Sequence, residues 1–155
     1  MSDSTTFEFI VAEEKLNAFG DELATLVESV GCGTEQEGTS NSGALPKLLQ
    51  SLAAGERGQE CMILVFTEDV ALREFQAENP ELRSQDPGKV AVGCFWLGCT
   101  HTEGKYSVQL TSATRSISSL MKESESVQGA FRTLAQRTTI GDVQVINEWN
   151  EVSVL

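Results

Sequence analysis

Lys89-Val-Ala-Val-Gly-Cys-Phe-Trp-Leu-Gly-Cys-Thr-His-Thr-Glu-Gly-Lys-Tyr-Ser-Val-Gln-Leu-Thr111 carries two unlike patterns in succession. As far as Cys99 the run is apolar on both parities, with Val90, Val92, Cys94 and Trp96 set against Ala91, Phe95 and Leu97. That pattern predicts an interior strand with Trp96 in the core. Thr100 to Gly104 is turn-like. Beyond it Tyr106, Val108 and Leu110 alternate with Ser107, Gln109 and Thr111, which predicts a second strand with one polar face. The two strands form a hairpin, and the rest of the chain must supply what covers it.

On the N-terminal side, Cys61 to Thr67 is continuously apolar and reads as another strand covered on both faces. Thr67 is placed to cap a helix running to about Glu78, with Glu68 and Asp69 in its first turn. Leu45 to Ala54 predicts a short helix, with Pro46 in the first turn and Gly55 after the last. Gly33 to Gly43 is polar and glycine-rich, a flexible loop. Thr6 to Ala12 alternates as a strand. From Glu13 to Val30 the period becomes helical through Leu16, Phe19, Leu23, Leu26, Val27 and Val30.

On the C-terminal side, Ala113 to Arg137 is helical, with Gly129 and the serines around Ser124 dividing it into two helices; Asp142 to Asn147 is a strand, with Glu151 to Leu155 its partner. The order β-α-α-β-α-β-β-α-β predicts a single α+β domain over residues 1–155. Its sheet is mixed or largely antiparallel, of about five strands, with helices packed on it.

Composition agrees with a folded chain: 40% of the 155 residues are hydrophobic and 22% charged. The first residues, Met1-Ser2-Asp3-Ser4-Thr5-Thr6, lack the pattern of an export signal, and no run is apolar enough to span a bilayer. The expected setting is therefore the cytoplasm, with Cys32, Cys61, Cys94 and Cys99 as thiols.

Charge is unevenly distributed. The net charge is −12; 17 acidic and 5 basic residues lie up to Gly88, and 6 of each from Lys89 onward. A field of that sign repels nucleic acid and anionic membranes and attracts basic surfaces. Like charge also disfavours self-association through the N-terminal part, so a monomer is expected in the free state.

The chemical motifs are weak. Gly31-Cys32-Gly33 follows a helix rather than a strand and has Gln36 where a dinucleotide fingerprint needs glycine. Its acidic neighbours Glu28, Glu35 and Glu37 disfavour a thiolate. Cys94 and Cys99 point to opposite faces of a strand; Cys99 and His101 share one but do not make a four-ligand zinc set. His101 is the only histidine, so any histidine acid–base chemistry runs through it. Ser119-Leu120-Met121-Lys122 matches S-x-x-K without the companion motifs of that chemistry. No cofactor or metal is implied.

What remains is binding. The sequence predicts an acidic protein-binding module, in its specific form an inhibitor or immunity-type neutraliser of a basic enzyme such as a nuclease toxin. The expected contact residues are Asp21, Glu22 and Glu28 on the first helix, Glu35 and Glu37 in the loop, Glu68, Asp69, Glu74 and Glu78 on the third helix, and Trp149 as an apolar anchor. A small-ligand domain or enzyme using Cys32, Cys99 and His101 is the alternative, and a structural adaptor subunit the third.

Overall fold

Alternation along Thr5–Ala12 (β1) buries Thr5, Phe7, Phe9 and Val11 and leaves the residues between them half-buried. The computed structural model describes residues 4–29, 44–56, 58–67, 77 and 89–155. Within them β1 is followed by a 3-10 turn at Glu13–Lys15, then Leu16–Leu23 (α1), Val27–Ser29 (β2), Ala44–Ala53 (α2) and Glu60–Thr67 (β3). Next come Lys89–Thr102 (β4), Lys105–Ser112 (β5), Arg115–Glu123 (α3), Glu125–Thr138 (α4), Gln144–Asn147 (β6) and Val152–Val154 (β7).

All seven strands join one sheet in the order β2-β3-β4-β5-β1-β6-β7, and every pairing is antiparallel. The α+β class holds, with a wider sheet than the roughly five strands expected: β7 pairs with β6 as the partner strand, and β2, expected to be helical, adds the opposite edge. The hairpin of β4 and β5 lies inside it with Leu97 opposite Leu110 and Cys99 opposite Val108. Ser124 separates α3 from α4, and its side chain caps α4 by accepting from the Val127 N–H at 3.3 Å.

Two expectations fail for identifiable reasons. The first helix does not run to Val30: it stops at Leu23, and Val27–Ser29 pairs with β3 instead. The Thr25 hydroxyl donates to the Glu22 carbonyl at 2.7 Å and Leu26 N–H to the Leu23 carbonyl at 2.8 Å, closing a turn at the helix end. Glu28 is therefore a strand residue, not a helix residue. Trp96 is not core either. It is 38% exposed, because the even-numbered residues of β4 from Cys94 to Thr102 lie on the face away from the described helices. The loop Gly33–Gly43 and, apart from the helical Ala77, the helix expected up to Glu78 lie outside the described residues.

The core fills the space between one sheet face and the helices. Phe7 meets Phe131 edge-on at 5.3 Å between ring centroids, and Phe9 meets Phe19 at 5.4 Å. Leu16, Leu23, Leu49, Ile117 and Val127 close the same cluster. Two glycines mark close approaches. A Cβ on Gly20 would lie 2.7 Å from Pro46 Cγ, so α1 and α2 touch there; one on Gly93 would lie 3.2 Å from Ile117 Cβ, where α3 crosses β4. At the start of β1, Thr5 is buried but satisfied, its hydroxyl 2.7 Å from Ser118 Oγ and its N–H donating to Ser112 Oγ at 3.0 Å.

No described helix belongs to the opposite face. Register sets Cys61, Trp96, Thr111, Thr6, Ile146 and Val152 side by side in a row across it. The Thr6 and Thr111 hydroxyls are 2.9 Å apart in the middle of that row.

Candidate functional site

Trp149 occupies the turn that joins β6 to β7, with more than half of its surface (57%) in solvent. The backbone around it is held from one residue. The Asn147 side-chain oxygen accepts from the N–H of Trp149 at 2.9 Å and of Glu151 at 3.0 Å. The Asn147 carbonyl accepts from Asn150 N–H at 3.0 Å, and Asn150 takes the left-handed conformation (φ 60°) that asparagine tolerates. Glu148 accepts from Ser4 N–H at 3.1 Å, tying the turn to the start of β1. An indole on a turn this constrained loses little freedom when a partner covers it.

Beyond the turn β7 forms one edge of the described sheet. Val152 is 58% exposed and Val154 64%. With Trp149 they supply three of the five large exposed hydrophobic side chains among the described residues, the others being Trp96 and Ile140. Behind β7 lies a groove of about 390 Å³, floored by Met121, Val145 and Leu155 and flanked by Lys122, Arg132 and Glu151.

The predicted acidic contacts divide sharply. Asp21 is exposed on α1, while Glu22, one residue on, is half-buried and bonded to Arg137 of α4 at 3.4 Å. Glu28 belongs to β2, six strands from β7. Glu35, Glu37, Glu68, Asp69, Glu74 and Glu78 lie outside the described residues, as does Cys32. Asn147, Val152 and Val154 were not singled out by their sequence. The only signal available was the pair of acids around Trp149, which marks an unburied turn.

Cys99 and His101 do share a face of β4, as strand parity requires. Cys99 is buried against the core, and burial pushes its thiol up to about 12, so it carries no thiolate near neutrality. His101 is exposed at the far end of the strand. Its ring lies over Tyr106 at 4.5 Å, and its Nε2 is bonded to Glu13 Oε1. The Glu13 N–H donates to the Gly104 carbonyl at 3.2 Å, so this contact pins the β4–β5 turn to the 3-10 turn. Among the described residues no three His, Cys, Asp or Glu side chains gather closely enough to hold a metal. No described helix is long and apolar enough to cross a membrane.

Comparison with protein-family models, with curated proteins and with solved structures returns no match.

Proposed function

We propose that this chain is a non-enzymatic binding module that docks on a basic protein, with Trp149 as its apolar anchor and surplus carboxylates as its electrostatic guide. The observation that carries the reading is the placement of Trp149: an exposed indole on a turn fixed by Asn147, between Glu148 and Glu151. Tryptophan is the residue type most enriched at binding hot spots, and an aromatic face flanked by acids suits a lysine or arginine side chain. The net charge of −12 supports the same class of partner by steering it during approach. The masked thiol of Cys99 supports binding over nucleophilic chemistry.

In its specific form the module neutralises a basic enzyme such as a nuclease toxin, whose phosphate-binding site must be cationic and is therefore complementary to an acidic cover. The test is capture of partners from a lysate of the source cells, followed by titration of the retained protein against salt. A basic protein whose affinity drops severalfold between about 50 and 200 mM salt supports the proposal, since surface charge pairs are screened over about 10 Å in that range. Binding indifferent to salt and to loss of the Trp149 side chain overturns it.

A further inference from the structure

We propose that β7 is a self-pairing edge: two copies of the chain join β7 to β7 in antiparallel fashion about a two-fold axis at Ser153, and Glu151 of each copy meets Arg132 of the other. Backbone geometry leads to the register. Leu155 N–H donates to the Val143 carbonyl at 2.9 Å and Asn147 N–H to the Glu151 carbonyl at 3.1 Å. Hydrogen-bonded and non-bonded pairs alternate along an antiparallel ladder, so Glu151, Ser153 and Leu155 turn their backbone groups toward β6. Val152 and Val154 turn theirs toward the edge that no described strand pairs.

The sequence Val-Ser-Val reads the same in both directions. Pairing Val152 with Val154 of a second copy therefore lets each such pair exchange both of its backbone hydrogen bonds, and covers two side chains that are 58% and 64% exposed. Natural edges are commonly guarded by lysine, proline or a bulge; β7 has none of these, only shortness.

Charge selects the occupant. The register sets Glu151 opposite Leu155 of the second copy. Arg132 lies at the Leu155 end of β7, since it lines both the groove behind the strand and the adjoining hollow formed by Leu155, Val143 and Thr139. Among the described residues Arg132 has long contacts, 3.5 Å to Gln128 and 4.0 Å to Glu125, which leave guanidinium donors for a second carboxylate. A wholly basic strand would be repelled by Arg132 and a wholly acidic one by Glu148 and Glu151; the two-fold matches both signs twice. The acid excess also belongs to the chain up to Gly88, and residues from Lys89 onward balance. Trp149 stays outside the pairing, while Glu151 is common to this surface and to the one of the proposed function; the Arg132 and Val154 variants separate the two.

Sedimentation equilibrium at 0.15 M salt provides the test. A contact this small falls in the weak class of interfaces, so a monomer–dimer equilibrium is expected between roughly 10 μM and 1 mM. E151R and R132E should each weaken dimerisation tenfold or more, while an equimolar mixture of the two variants should dimerise again, because the mixed pair restores two contacts of opposite charge. V154P removes an outward N–H without touching β6 and should leave a monomer. The proposal is overturned if the wild type stays monomeric at 1 mM, if the variants dimerise as the wild type does, or if the mixture fails to associate.

Discussion

Trp149 and Trp96 show how far single residues could be read from the chain. Both are exposed, yet the first stands beside acids and the second within an apolar run. Flanking charge marked Trp149 as a residue of the surface. Nothing in the alternation around Trp96 distinguishes the face under the helices from the face that no described helix covers, since that depends on which side the helices pack. Trp149→Ala should leave the fold intact and cost about 2 kcal/mol or more of partner binding, measured as a rise in Kd of roughly thirtyfold. Cys99 makes a prediction about pH. Its pKa rises from 9.0 to about 12 on folding, so the native state keeps a proton that the unfolded chain loses. The stability it contributes is intact below pH 9 and is lost as pH rises toward 12. Denaturation midpoints should therefore fall more steeply over that range in the wild type than in Cys99→Ala; equal slopes would contradict the burial assigned to this thiol.

Among the elements, the β4–β5 hairpin, α2, the division of the last helices at Ser124 and the closing β6–β7 pair were legible because period and turn chemistry agreed. The stretch after Leu23 was not. Leu26, Val27 and Val30 continue a helical spacing, but Val27 to Ser29 gains a ladder with β3 that periodicity within one segment cannot reveal. The three-residue edge strand Val27–Ser29 lies below the length at which alternation is a signal, so the expected sheet lacks it. The α1–α2 contact is testable at Gly20. A methyl group there would sit 2.7 Å from Pro46 Cγ and 3.0 Å from its backbone nitrogen, so Gly20→Ala should destabilise by about 1–3 kcal/mol in urea unfolding despite better helix propensity. Within the β6–β7 hairpin, Asn147→Ala deletes the acceptor shared by Trp149 and Glu151. It should cost about 1 kcal/mol and speed amide exchange at both positions, with little effect elsewhere.

For the whole molecule the governing quantity is the distribution of charge. Sequence alone located the excess before Lys89. Structure adds that Glu22 is engaged by Arg137 and that Glu28 lies on the sheet edge opposite β7, so the acids of the N-terminal part do not act as one equivalent set. Asp21, exposed and without a described ion pair, is the better steering residue. Asp21→Lys should slow association severalfold while leaving dissociation nearly unchanged, because peripheral charges act mainly on encounter. The most direct test of the binding proposal is a salt titration of the captured partner's affinity for wild type and for Trp149→Ala. A basic partner is expected, with affinity falling steeply as salt rises and a parallel but weaker curve for the variant. A neutral or acidic partner, or curves that are flat and superimposed, would contradict it.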